Sequence, residues 1–176
     1  TGYFNTILYT TVGTVINIVI TTVTAYALSK KDLYGKKFFS AVFVFTMFFS
    51  GGMIPNYIVV KSLGLLDTMW AVILPPALST YNMIIMRTYF EGFSEELEDA
   101  ARIDGCSPLG VLWRIILPVS APIMLTIALY YAVFHWNSYF HPMLYLQTKK
   151  KFPLQVFLQQ ILISGETAFA NASSSI

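Results

Sequence analysis

Residues 1–29 read TGYFNTILYTTVGTVINIVITTVTAYALS, without a single Asp, Glu, Lys or Arg. About 20 apolar residues carry a helix across a hydrocarbon core roughly 30 Å thick, so this run reads as one complete crossing. Three further uncharged runs of suitable length follow, at residues 38–60, 68–86 and 115–148. Of all 176 residues, 56% are hydrophobic and only 11% are charged, where a soluble domain carries about a quarter. So few charges cannot cover a water-facing surface, which excludes a soluble enzyme, a nucleic-acid binder and a disordered tail. The single Cys106 allows no internal disulfide framework, and with only His135 and His141 beside it there are too few ligands for a zinc site. The chain reads as an all-α membrane protein: one domain over 1–176, with transmembrane helices at about 5–29, 38–60, 68–88 and 119–141.

Neither a signal peptide nor a barrel explains these runs. No basic segment precedes the first, and none alternates in polarity over segments of about ten residues. Cytoplasmic connections carry an excess of Lys and Arg. Lys30, Lys31, Lys36 and Lys37 lie in the first connection, and Arg87, Arg102 and Arg114 in the third. Lys61 stands in the second, and Lys149, Lys150 and Lys151 follow the fourth span. Placing the first and third connections inside sets seven cations against four, although the Lys triplet then faces outward. Within the first span, seven threonines with Gly13 and Asn17 favour close helix packing over a polar path. In the second, Gly51, Gly52 and Pro55 break the helix, as a kink or a re-entrant loop.

Between the third and fourth spans the chain turns polar, with seven of its twenty charges in residues 91–108. Ser94 reads as an N-cap, followed by Glu95, Glu96 and Glu98 at the positive end of the helix dipole. Gly105 suits the left-handed residue that ends a helix. Ser107 then caps a second helix with Pro108 at its first position. Leu97, Ala100, Ala101 and Asp104 share one small-residue face, which another surface can approach closely. The spacing predicts a helix-turn-helix that docks a partner.

That stretch resembles the cytoplasmic coupling loop of ABC-importer permeases, whose pattern is E-A-A, three residues, G, nine residues, I-x-L-P. Here Asp99-Ala100-Ala101, then Gly105, then Ile115-Ile116-Leu117-Pro118 keep every interval. Asp99 departs from the usual Glu, keeping the charge with one methylene less reach. Ala25 to Ser29, Ile54-Pro55 with Tyr57, Leu63-Gly64-Leu65 before Trp70, Ile73-Leu74-Pro75 and Trp136-Asn137 are similar to carbohydrate permeases of the maltose type. Phe49 to Gly52 and His135 to Tyr139 look most like the branch taking up oligosaccharides released from polysaccharides. Such permeases have six helices, so the resemblance implies a fragment lacking the first and last.

The resemblance also implies a role. The chain would be the permease subunit of a bacterial importer in the cytoplasmic membrane, a multi-pass transport subunit and not an enzyme. Its partners would be an ABC ATPase dimer, a second homologous permease, an extracytoplasmic solute-binding protein, an oligosaccharide and the bilayer, with no nucleic acid. No cofactor is expected in this chain: the Walker pattern G-x-x-x-x-G-K-S/T does not occur in it, so ATP and Mg would sit on the ATPase. Coupling would fall to Asp99, Ala100, Ala101, Asp104, Gly105, Ile115, Leu117 and Pro118. Tyr81, Asn82, His135, Trp136, Asn137 and Tyr139 would line the substrate path or touch the partner permease. A permease for a different solute shares the loop. An ion-coupled secondary transporter would want carboxylates inside its spans, and these spans contain none.

Overall fold

The computed structural model describes residues 2–93 and 105–173, and among them every regular element is helical. Helix α1 (Gly2–Ser29) is followed by α2 (Lys36–Phe48), α3 (Met53–Ser62), α4 (Met69–Ile73) and α5 (Thr80–Glu91). Segment α6 combines Pro108–Val111, a π-helical turn at Leu112–Ile116 and Leu117–Val119. Then come α7 (Ala121–Asn137), α8 (Phe140–Tyr145), a 3₁₀ turn at Lys149–Lys151 and α9 (Leu154–Ser173). Helix α1 has 28 residues, about 42 Å at 1.5 Å per residue, and is long and apolar enough to cross a bilayer. Two pairs, α2 with α3 and Leu112–Val119 with α7, qualify among the described residues if each bent pair counts as one crossing.

The breaks follow from side-chain and backbone chemistry. Between α2 and α3, Phe49 is extended (φ −116°, ψ 96°) and Gly52 takes φ +83°, which a side chain would resist. The stretch 68–88 is not one helix but two, separated by Leu74-Pro75-Pro76-Ala77-Leu78-Ser79. Two successive prolines lack amide hydrogens and clash with the preceding turn, so an α-helix cannot continue through them. At Ser120 the helix axis turns by 79° between Leu112–Val119 and α7.

The chain clusters into two compact units. One comprises residues 1–13, 51–75 and 132–176, and the other 14–50 and 76–131. In the second unit Ala25, Tyr26 and Leu28 pack with Met83, Met86 and Phe90 of α5, Leu112 and Ile116 of α6, and Ile127 and Tyr131 of α7. The first unit has two smaller cores, Tyr9 with Val72, Leu146, Phe152 and Val156, and Val60 with Ala71 and Tyr145. Along α1 the buried positions include Thr6, Tyr9, Gly13, Asn17, Thr21, Ala25 and Leu28, with Thr22 and Tyr26 buried beside them. Their three- and four-residue spacing makes one stripe of mostly small and hydroxyl side chains. By contrast α2 buries no residue, and it exposes Phe38, Phe39, Phe45 and Phe48. Water would not tolerate such a surface; lipid or a second membrane chain would.

Candidate functional site

The break in the 68–88 stretch frees backbone groups that an apolar medium cannot satisfy, and such groups persist only where protein meets them. Two helices do so within one unit. Asn17 of α1 donates its Nδ2 to the carbonyl of Pro76 at 3.1 Å. The hydroxyl of Tyr131 on α7 accepts the amide of Ser79 at 3.1 Å and lies 2.7 Å from Thr21 Oγ1. Ser79 in turn caps α5, its Oγ accepting from the amide of Asn82 at 3.4 Å. Thr22 and Met124 also meet, through the hydroxyl and the sulfur. Thr21 and Thr22 thus pair with Tyr131 and Met124 of α7. The Oδ1 of Asn17 and the hydroxyls of Thr14 and Ser120 find no partner among the described residues.

Of the path residues named from sequence, Asn82 is buried beside this break and Tyr81 is exposed, both in this unit. His135, Trp136, Asn137 and Tyr139 fall in the other. His135 is buried, Trp136 and Tyr139 are exposed, and Asn137 donates to the carbonyl of Val133 in its own helix. The sequence reading therefore gathered residues from two separate units. His135 is seated by an absence of side chain: a Cβ placed on Gly13 would come within 2.6 Å of its Nε2. Replacing a helical glycine by alanine ordinarily stabilises by about 0.4–1 kcal/mol, whereas overpacking costs about 1–3 kcal/mol. At 2.6 Å the clash wins, so Gly13→Ala is expected to lower the melting temperature of the purified protein. An unchanged or higher melting point would show that the imidazole moves aside freely.

Of the coupling residues, Asp99, Ala100, Ala101 and Asp104 lie outside the described residues, as does Ser94. Gly105 has φ +80°. Ser107 caps the next helix, accepting from the amide of Gly110 at 3.2 Å, and that helix begins at Pro108. Ile115 and Leu117 pack against the core that holds Leu112 and Ile116, while Pro118 is exposed. At the matching ends of α2 and α5, Glu91 accepts from Lys36 and from Arg87, each at 3.0 Å. Arg87 also reaches Ser40 at 2.8 Å, and Lys36 the carbonyl of Ser29 at 3.2 Å. Burial opposes the Glu91 charge, but the hydrogen bonds and positive charges of Lys36 and Arg87 outweigh it and hold the carboxyl below its usual value. Lys30 lies 3.9 Å above the Tyr26 ring. No group of three or more metal-binding side chains occurs among the described residues.

A second polar knot, which the sequence did not announce, centres on Asp67. Its carboxylate accepts from the amides of Gln147 and Thr148 at 3.0 Å, the Thr148 hydroxyl at 2.8 Å and Lys151 Nζ at 2.7 Å. Asp67 has φ +57°, a conformation Asp and Asn tolerate best among side-chain-bearing residues. The start of α1 grips the same segment: Asn5 Nδ2 meets the carbonyls of Lys150 and Phe152, and the Tyr9 hydroxyl that of Lys151. The Lys151 hydrogen bond first, then those from Thr148 and Gln147, drive the Asp67 carboxyl well below the ordinary carboxylate range. A lowered folded value stabilises above the unfolded value, near pH 4, and that contribution fades as pH falls through the folded one. Asp67→Asn, which keeps the backbone preference, is therefore expected to speed proteolysis of residues 147–152 equally at pH 6 and pH 8. A strong difference between those two pH values would contradict the assignment.

With this geometry in place, comparison with known proteins assigns the chain. The family model described as "Binding-protein-dependent transport system inner membrane component" matches residues 3–174. Protein LplC of Bacillus subtilis (strain 168) is 47% identical over 168 residues, 96% of this chain and 57% of LplC. The polygalacturonan/rhamnogalacturonan transport system permease protein YtcP of the same strain is 48% identical over 154 residues, 88% of this chain and 54% of YtcP. A chain from the crystal structure of a bacterial ABC transporter involved in the import of the acidic polysaccharide alginate superposes with TM-score 0.90 at 39% identity, covering 98% of this chain and 63% of that one. The chain thus spans little more than half the length of the relatives it matches.

Proposed function

Because the chain belongs to the family of binding-protein-dependent transport system inner membrane components, we propose that it forms the core of a permease subunit in an ATP-driven importer of oligosaccharides. The names of its relatives, which speak of polygalacturonan and rhamnogalacturonan transport and of alginate import, support that substrate class. In this reading a separate ATPase dimer grips the 94–118 loop, a second permease lies alongside, and an extracytoplasmic binding protein delivers the sugar. ATP-driven closure of the dimer displaces the loop as a rigid body and rocks the helices between inward- and outward-facing states.

One observation carries the proposal: residues 105–119 have the build of a handle. The turn is fixed by a left-handed glycine and a capped helix start, and Leu112 and Ile116 key the segment into the core formed by α1, α5 and α7. Displacement of such a segment has to move those helices. The reading has the chain crossing the membrane four times, as α1, α2 with α3, α4 with α5, and α7, within a six-helix protein. The first and third connections lie inside. The hydrogen bonds grouping Asn5, Tyr9, Asp67 and Lys151, and those grouping Ser29, Lys36, Arg87 and Glu91, agree with that assignment.

The test uses the longer protein that contains this chain. Reconstituted with its ATPase, partner permease and binding protein, it is expected to take up oligosaccharide only with ATP and to raise ATP hydrolysis when loaded binding protein is added. Uptake driven by an ion gradient without ATP would overturn the reading.

A further inference from the structure

We propose that the 3₁₀ turn Lys149–Lys151 is a preformed cationic docking element for the acidic face of the extracytoplasmic binding protein; this rests on the orientation given under Proposed function. Two independent observations support it. The first is charge. The segments placed outside after the second and fourth crossings carry Lys61, Lys149, Lys150 and Lys151 against the carboxylates of Asp67 and Glu166, opposite to the bias that places cations inside. The Asp67 carboxylate is already committed to Lys151. Lys149 and Lys150 are exposed and form no ion pair among the described residues.

The second observation is rigidity. Three consecutive carbonyls, of Lys150, Lys151 and Phe152, accept hydrogen bonds from Asn5 and Tyr9 of α1. On its other side the Asp67 carboxylate takes the amides of Gln147 and Thr148, and the Asp67 amide bonds the carbonyl of Tyr145 at 2.9 Å. An exposed lysine pair needed only for solubility would not require a backbone tied from both sides. A surface meant to receive a partner gains from it, because ordering entropy is then spent before binding. Outward cations on a fixed turn steer an acidic protein during encounter and fix its register, an effect that weakens with salt. Two other occupants are separable by chemistry: a carboxylate-bearing oligosaccharide, and anionic lipid headgroups.

The experiment uses the full transporter in nanodiscs of zwitterionic lipid, with loaded binding protein as the titrant and ATP hydrolysis as the readout. The double variant Lys149→Glu with Lys150→Glu is expected to raise the half-saturating concentration of binding protein roughly tenfold at low salt, with basal hydrolysis and the saturated rate unchanged. The wild-type half-saturation should rise with salt, while that of the variant should fall as salt screens the repulsion between the two glutamates and the acidic partner. Asp67→Asn separates anchoring from net charge, since it frees Lys151 and adds positive charge yet releases the turn; it is expected to weaken stimulation too. Wild-type half-saturation in the Lys variant, or tighter coupling in Asp67→Asn, overturns the proposal. So does an effect seen only with acidic oligosaccharides, or only when anionic lipid is present. The orientation beneath it is checked separately, by labelling Lys150→Cys in a Cys106→Ser background with a membrane-impermeant thiol reagent. Labelling from the cytoplasmic side alone would refute the topology, whatever the titration shows.

Discussion

Gly105→Val is expected to abolish oligosaccharide uptake and the stimulation of ATP hydrolysis by binding protein, while the amount of protein in the membrane stays at the wild-type level. The residue has φ +80°, and among the described residues nothing stands within 4 Å of where a Cβ would go. Backbone strain is therefore the effect that the local geometry defines for this substitution. Holding a side-chain-bearing residue in the left-handed region costs about 1–2 kcal/mol, and a β-branched one fits it worst. That is too little to unfold a protein with a stability of about 5–15 kcal/mol. It is ample to drive the turn into another conformation and re-aim everything before it. Gly105→Asn, which accepts the left-handed region more readily, is expected to keep a large part of the activity. Quantitative blotting of membranes alongside sugar uptake is the measurement. Normal uptake by the valine variant would disprove the role assigned to the 94–118 loop.

The second large effect is expected at Tyr131. Its hydroxyl sits between Thr21 Oγ1 at 2.7 Å and the amide of Ser79 at 3.1 Å, and Tyr131→Phe removes that one atom with little change in shape. A buried polar group left without a partner costs about 1–3 kcal/mol; here Thr21 is fully buried and the Ser79 amide half-buried. Thr21→Val should cost less, because Ser79 keeps its acceptor. A marked drop in thermal stability is expected for Tyr131→Phe, with a double-mutant cycle against Thr21→Val showing coupling. Stimulated hydrolysis should fall as well, because α5 then loses the anchor at its start. A melting curve superimposable on the wild type would show that water or another group replaces the hydroxyl.

These two sites differ in how far the sequence exposed them. Gly105, Ser107 and Pro108 act over three or four residues, so their chemistry was legible in a single line of letters, and the structure places the left-handed glycine and the cap where that reading put them. Helix α1 was equally plain as one long apolar helix, because that is a matter of length and polarity alone. The proline pair at 75 and 76 announced a break, yet the run around it is so apolar that it reads as one continuous helix. What holds the break could not be read at all: Tyr131 and Ser79 are 52 positions apart, and Lys151 and Asp67 84. Side chains such as Thr21, Tyr131 and Asp67 carry no local mark of the partner they will find. The hydroxyl-rich face of α1 hinted at cross-helix bonding without saying to whom.

The π turn at Leu112–Ile116, where the amide of Leu117 reaches back five residues to the carbonyl of Leu112, has a bearing on how this protein can change over generations. A π turn holds one more residue than the α turn it replaces, so it behaves as an accommodated insertion. Nine residues separate Gly105 from Ile115, and that count includes the extra one. Lineages that gained or lost a single residue here would rotate Trp113 and Arg114 around the helix relative to Ile116 and Leu117. Substitutions in this interval are therefore freer than length changes: the interval is a ruler as well as a sequence.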